Sequence, residues 1–167
     1  MRILGLDPGL RSTGWGVVAL QGTRLAHIAH GVVSPSASLD LGRRLVAIFD
    51  AVGAVLAEHA VEHAAIEETF VSRDARGTLK LGQARAAALL AAAKAGLDVA
   101  EYAPNLVKKS VVGAGHAGKE QVRFMVMRLL PACEVANEHA ADALAVAICH
   151  AHHGLAPARR LAAGAAR

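Results

Sequence analysis

Long apolar runs and cysteine are both scarce in this sequence, and each absence excludes a class of protein. No apolar run reaches the ~18 residues that span a bilayer, and the run at 86–93 lies between Arg85 and Lys94. Cys133 and Cys149 are too few for a disulfide framework and lack the spacing of zinc ligands. No signal peptide is expected, because the first residues already form a strand that contains an acid. We therefore expect a soluble cytoplasmic protein with no membrane partner.

Basic residues outnumber acidic residues only slightly. The 167 residues carry 18 Lys and Arg against 14 Asp and Glu, which gives a net charge of +4 and a pI near 9.5. This mild basicity is compatible with a nucleic-acid partner but is far below that of a histone-like protein. The length predicts a single domain with a substantial core at 1–153, followed by a flexible C-terminal tail at 154–167.

The hydrophobic pattern predicts an α/β fold. Two apolar runs on either side of Pro8-Gly9 predict a hairpin, and a third strand follows the turn at Gln21-Gly22. A meander followed by alternating helices and strands implies a mixed five-stranded sheet flanked by helices. The predicted strands are 3–6, 14–20, 25–33, 64–70 and 97–102. The predicted helices are 39–59, 79–95, 104–111, 119–130 and one that begins after Asn137 and runs to about residue 153. Loops are predicted at 71–78 and 113–118, and the second of them is expected to be mobile.

Three acidic side chains occur where apolar packing is expected. Asp7 and Glu67 end apolar strands, and Asp142 lies in an alanine-rich helix, where an unpaired charge is costly. Ligands gather at the carboxyl ends of such strands, and neighbouring carboxylates repel unless a cation lies between them. His139 precedes Asp142 by three positions, so both project from one helix face. The four residues would make a divalent-metal site; alternatively, they are turn, edge and helix-end residues that never meet.

Five blocks of the sequence resemble the signature blocks of the RuvC family of bacterial Holliday-junction resolvases. They occur in the family's order at similar spacing and cover nearly the whole chain up to residue 153. The blocks are ILGLDPG at 3–9, AIE at 65–67, LKLGQAR at 79–85, VKKSVVG at 107–113 and HAADALA at 139–145. The resemblance implies a ribonuclease-H-like fold and a homodimer that nicks four-way DNA junctions with two divalent metal ions per subunit, in recombination and repair.

By motif position, the resemblance implies that Asp7, Glu67 and Asp142 are metal ligands. Many family members have Asp where this chain has His139, although some carry His as this chain does. Mg²⁺ demands oxygen ligands in octahedral geometry, whereas Mn²⁺ accepts an imidazole nitrogen more readily. We therefore expect Mn²⁺ to support more activity than Mg²⁺.

Two acids beside these positions are alternative ligands, Glu68 and Glu138. Neighbouring side chains of a strand face opposite sides, so only one of Glu67 and Glu68 can point inward, and the resemblance selects Glu67. Lys108 and Lys119 fall where family members carry functionally important lysines. Two metal ions ~3.5–4 Å apart would activate a water and stabilise the attacking and leaving oxygens, and a nearby lysine adds positive charge. Without the resemblance, each lysine would be interpreted as a solvated helix-end residue.

DNA contacts are predicted around the basic loop at 71–78. Phe70 could stack on an unpaired base, or it could be a packing residue at a strand end. Five basic residues are predicted to contact phosphates, although each is also consistent with solvated surface: Arg73, Arg76, Lys80, Lys109 and Arg123. The resemblance implies that the helix at 79–95 helps to form the dimer, which would present two active sites to two strands. It also implies association with a branch-migration motor.

Three other interpretations remain open on the sequence alone. The hairpin around Asp7 is locally similar to the phosphate-binding hairpin of sugar kinases and actin, but the chain is too short for the two lobes those proteins need. A junction-binding protein without catalysis is the second alternative, if His139 spoils the metal site. The run at 149–153 (CHAHH) resembles a metal cluster, but adjacent residues on a helix do not share a face.

Overall fold

A five-stranded mixed sheet in the order β3-β2-β1-β4-β5 organises the fold in the computed structural model, which describes residues 1–69 and 73–154. The first three strands form an antiparallel meander, and β4 and β5 continue the sheet in parallel beyond β1. The strands are β1 (Arg2–Asp7), β2 (Thr13–Gln21), β3 (Arg24–Val33), β4 (His63–Glu67) and β5 (Val99–Tyr102). The helices are α1 (Leu41–Glu58), α2 (Ala75–Lys94), α3 (Pro104–Val112), α4 (Lys119–Leu129) and α5 (Glu138–His153).

Side-chain alternation along β1 assigns the two faces of the sheet to two helical layers. Leu4 and Leu6 are fully buried in the cluster that includes α1 and α2. Ile3 is buried in the other cluster, which is built mainly from α3, α4 and α5. Because alternate residues share a face, Gly5 and Asp7 point toward the same layer as Ile3. The carboxylate that ends β1 therefore faces α5.

Helix α5 lies against the sheet at very short range because glycines occupy the surface beneath it. A Cβ atom added at Gly5 would lie 2.0 Å from the carbonyl oxygen of Ala143. At Gly14 it would lie 2.0 Å from the carbonyl oxygen of His139. Any larger side chain at these positions would separate helix and sheet. The glycines thus place the first turn of α5 directly over the ends of the strands.

The predicted elements are present, with differences at their ends. The largest concerns residues 75–78, which were predicted to belong to an exposed loop but form the first turn of α2. Asp74 caps this turn, because its side chain accepts a hydrogen bond from the backbone N–H of Gly77. Gly96 (φ 80°) follows the end of α2, and Asn137 caps α5 by accepting from the backbone N–H of His139.

Two predicted segments fall outside the described residues. The fourth strand was expected to run to Phe70, but β4 ends at Glu67, and residues 70–72 are not described. Residues 155–167, most of the predicted tail, also lie outside. Among the described helices, none combines the length and apolar character that crossing a membrane requires.

Candidate active site

The carboxyl ends of β1 and β4 lie side by side. These strands are parallel, and Leu6 pairs with Ile66, so Asp7 and Glu67 follow at the same edge of the sheet. The chain turns immediately after Asp7, and Thr13 closes the turn by donating a hydrogen bond to the carbonyl of Gly9 at 2.8 Å. This turn ends the strand, and the Asp7 carboxylate lies against His139 in the first turn of α5.

Asp7 is paired with the first turn of α5. Its Oδ2 lies 2.8 Å from Nδ1 of His139, across a sequence separation of 132 residues. The Asp7 side chain is only 16% exposed, and burial raises its pKa, although the hydrogen bond and charge of His139 act in the opposite direction. In the neutral tautomer of His139 that donates from Nδ1 to an ionised Asp7, the lone pair of Nε2 is available to a cation.

Glu67 and Asp142 line a cavity of about 250 Å³ together with Lys108 and Lys119. Burial raises the pKa of Glu67 to about 7, and the negative charges of Asp7 and Asp142 add to the effect. Burial likewise raises the pKa of Asp142 to about 6, again with help from Asp7. The positive charge around the three carboxyl groups is thus too small to stabilise all of them in the ionised form.

The donor set fits a divalent cation. Three carboxylates supply hard oxygen ligands, and the shared rise in their pKa values is relieved by a bound positive charge. The residues that could hold one or more such ions are Asp7, Glu67, His139 and Asp142.

The raised pKa of Glu67 predicts an unusual pH dependence of stability without metal. The folded chain binds this proton more tightly than the unfolded chain, so the contribution of Glu67 to stability falls as pH rises from about 4.5 through about 7. In EDTA at about pH 8, we expect Glu67→Gln to be more stable than wild type by on the order of 1–2 kcal/mol, after allowance for solvent screening. Chemical denaturation at both ends of this range measures the difference.

At about pH 4 the advantage of Glu67→Gln should disappear, because the wild-type carboxyl is then protonated in both states. Glu68→Gln is the matched control, since Glu68 is the adjacent acid and is not among the residues that line the cavity of Glu67 and Asp142. An equal free energy of unfolding for Glu67→Gln and wild type at high pH would contradict the described environment.

The two predicted lysines reach the same cavity by different routes. Lys108 lies on α3, and its charge partly opposes the rise in the pKa of Glu67. Lys119 begins α4, and its Nζ binds Glu138 at 2.9 Å, while its charge acts on Asp142 and Asp7. Glu138 is therefore engaged as the partner of Lys119. Of the adjacent acids Glu67 and Glu68, it is Glu67 that lines the cavity.

A basic groove of about 520 Å³ borders His139. It is lined by Arg11, Arg44 and Lys80. The side chain of Arg44 donates a hydrogen bond at 2.9 Å to the carbonyl of Leu10, so it also fixes the turn after β1. Sequence reasoning missed Arg11 and Arg44. Arg11 carried one usable signal, because it follows the turn that ends the Asp7 strand.

The remaining predicted DNA contacts are dispersed. Arg73, Arg76 and Lys80 are exposed at the start of α2, and Lys109 is exposed on α3. Arg123 instead pairs with Glu120 at 2.7 Å within α4. Phe70 lies outside the described residues.

In the run at 149–153, Cys149 and His150 are buried, and the Nδ1 of His150 lies 2.9 Å from the Tyr102 hydroxyl.

Comparison with known proteins gives consistent matches along most of the chain. Residues 3–150 match the family model described as Crossover junction endodeoxyribonuclease RuvC. The RuvC protein of Paracoccus denitrificans is 58% identical, and the match covers 99% of this chain and 100% of that protein. The RuvC protein of Parvibaculum lavamentivorans is 61% identical, with 96% of this chain and 91% of that protein covered.

A solved structure shows the same fold. Thermus thermophilus RuvC in complex with Holliday junction substrate superposes with a TM-score of 0.88 at 37% identity, covering 94% of this chain and 96% of that one. This match and the observed strand order confirm the ribonuclease-H-like α/β fold. The chain therefore belongs to the RuvC family of crossover junction endodeoxyribonucleases.

Proposed function

We propose that this chain resolves four-way DNA junctions by paired, symmetric nicks, with Asp7, Glu67, His139 and Asp142 holding two divalent metal ions. The RuvC family consists of divalent-metal-dependent nucleases that act on such junctions. The observation that carries the assignment of residues is the convergence of acids from two strands and a helix at one edge of the sheet. Their raised pKa values support a cationic occupant.

The chain's own residues position the reacting phosphate and neutralise charge. Bound divalent ions supply an activated water and stabilise the attacking and leaving oxygens of the phosphodiester. Lys108 and Lys119 line the same cavity and offset negative charge that develops on the phosphate. His139 holds the Asp7 carboxylate in place through the 2.8 Å hydrogen bond. Gly5 and Gly14, which form the glycine surface under α5, fix the distance of this helix from the ends of β1 and β4.

We propose that the DNA backbone runs along the basic groove beside His139. Arg11, Arg44 and Lys80 line this groove, and Arg73 and Arg76 are exposed close to Lys80 in the chain. Arginine and lysine contacts to phosphate position a duplex without reading its sequence. Together with Lys109, these residues suit a nuclease that selects substrate by shape. The ion pair of Arg123 with Glu120 makes Arg123 the weakest of the predicted contacts.

The outer face of α2 supports the proposed homodimer. Leu79 and Leu90 are 64% and 61% exposed, and exposed apolar residues indicate an interaction site where they form one continuous surface. Gly82 and Ala86 are also exposed and fall at helical spacing between the leucines. The result is a stripe of apolar and small residues that lets a second copy of α2 approach closely. A two-fold axis there would present one active site to each of two strands.

The substrate assignment is tested with a synthetic four-way junction and a linear duplex of the same sequence. We expect nicks at symmetric positions on two opposing strands of the junction and little cleavage of the duplex. Gel analysis of strands labelled separately measures both outcomes, with EDTA as the control for metal dependence. Equal cleavage of junction and duplex would indicate a general nuclease and contradict the proposal.

His139 predicts a metal preference. With matched concentrations of the two ions, we expect Mn²⁺ to support faster nicking than Mg²⁺, because an imidazole nitrogen is a poor ligand for Mg²⁺. His139→Asp should raise the rate in Mg²⁺ relative to that in Mn²⁺. Single-turnover nicking rates in each ion measure the ratio. A wild-type nicking rate in Mg²⁺ that equals or exceeds the rate in Mn²⁺ would contradict the predicted metal preference.

A further inference from the structure

A second group of metal-ligating side chains lies outside the active site. Its members are His27 and His30 on β3 and Cys133 in the connection between α4 and α5. One ligand atom from each, two ring nitrogens and the Sγ, lie within 4.8 Å of one another. Nε2 of His27 and Nδ1 of His30 are 2.8 Å apart. The three side chains thus surround a single point from two distant parts of the chain.

A β-bulge brings the two histidines to one face of the sheet. Residues three apart on a regular strand point to opposite faces. Here Val17 pairs with Ala29 and Val18 pairs with His27, so Ile28 is an extra residue in β3. His27 pairs with buried Val18, and His30 pairs with Gly16, whose added Cβ would meet Leu144 of α5. Both rings therefore face the layer that contains α5 and Cys133.

The backbone before Cys133 also takes an unusual form. Ala132 has φ 69°, a left-handed conformation that residues other than glycine rarely adopt. The backbone N–H of Cys133 bonds to the carbonyl of Leu130 at 3.0 Å, which closes this turn after α4. The resulting orientation buries the thiol, which is 5% exposed, on the same side of the sheet as the histidines.

The protonation states suit a metal that binds nitrogen and sulfur. Burial lowers the pKa of His27 and of His30, so the imidazoles are neutral at pH 7 and retain lone pairs. Burial raises the pKa of the Cys133 thiol, and a bound metal ion would deprotonate it. A hydrogen bond between the histidines accounts for their own approach but not for the convergence of the thiol.

We propose that His27, His30 and Cys133 bind one Zn²⁺ ion per chain, with water as the fourth ligand. Two imidazoles and one thiolate are typical of borderline-soft Zn²⁺ and unsuited to Mg²⁺ or Mn²⁺, which prefer oxygen. The site is chemically distinct from the carboxylate-rich active site. Bound Zn²⁺ would clamp β3 to the α4–α5 connection and so stabilise the fold.

Cobalt distinguishes the two sites, because only thiolate ligation gives a thiolate-to-cobalt charge-transfer band in the near ultraviolet. The full-length protein is titrated with Co²⁺ in excess Mg²⁺, and Zn²⁺ is then added. We expect the band to saturate at one Co²⁺ per chain and to vanish when Zn²⁺ displaces the cobalt. Absence of the band from folded wild-type protein would overturn the proposal.

Variants assign the ligands. Cys133→Ser and His30→Ala should each lose the band and weaken Zn²⁺ binding by more than the ~10–100-fold that loss of an outer partner costs. Cys149→Ala is the matched control, since it removes the other buried cysteine, and should keep the band. Circular dichroism confirms that each variant is folded, and His30→Ala tests the site with the cysteine intact. A band that persists in folded Cys133→Ser, or is lost in folded Cys149→Ala, would overturn the assignment.

Discussion

Asp7→Asn is expected to lower the rate of junction nicking by about 10³-fold or more, because it removes a buried anionic ligand from the proposed metal site. Junction binding should stay within about threefold of wild type, because the basic side chains that we propose to contact phosphates remain. Asparagine matches aspartate in shape, and the hydrogen-bonding geometry with His139 can be kept. Single-turnover nicking and gel-shift titration of the same junction measure the two effects separately.

Asp50→Asn is the matched control for this substitution. Asp50 is an exposed acid on α1, in the helical layer on the opposite face of the sheet from α5. The Asp50→Asn variant should nick the junction at the wild-type rate. Unchanged nicking by Asp7→Asn would exclude Asp7 from the site. Loss of junction binding in parallel with nicking would instead point to a role for Asp7 in binding DNA.

Gly14→Ala is expected to damage both stability and activity. Its Cβ would lie 2.0 Å from the carbonyl oxygen of His139 and 2.4 Å from the carbonyl carbon. The first turn of α5 must then move, at a cost at or above the upper end of the ~1–3 kcal/mol typical of overpacking. Because a shift of about 1 Å in catalytic groups can cost ~10²-fold in rate, nicking should fall by about that factor. Denaturation and single-turnover kinetics measure the two effects.

Gly53→Ala provides the control for adding a methyl group. An added Cβ at Gly53, in the middle of α1, has no neighbouring atom within 4 Å. Removing a helical glycine should stabilise the protein by about 0.5–1 kcal/mol. If Gly14→Ala were as stable and active as Gly53→Ala, the glycine surface would not set the position of α5.

The sequence indicated the candidate site through its exceptions to apolar packing. Asp7 and Glu67 were recognisable because each ends an apolar strand, and Asp142 because it interrupts an alanine-rich helix. The parallel pairing of β1 with β4 then places the two strand acids at one edge. The 2.8 Å pairing of Asp7 with His139 could not be predicted, because it depends on how closely α5 approaches the sheet.

Other features depend on geometry that local patterns do not encode. Arg44 reaches the groove from a helix far along the chain, and its amphipathic context resembles any solvated helix face. The bulge at Ile28 breaks the alternation rule for residues three apart in β3, and no local sequence pattern marks its position. The start of α2 was misjudged because its first turn is exposed and lacks an apolar period, while Asp74 supplies the cap.

Anomalous diffraction from crystals of the wild-type protein with a four-way junction and Mn²⁺ tests the central claim most directly. The proposed mechanism predicts two manganese peaks per active site, within ligand distance of Asp7, Glu67, His139 and Asp142 and beside a junction phosphate. Fully occupied manganese elsewhere on the chain, with these four side chains free of metal while DNA is bound, would contradict it.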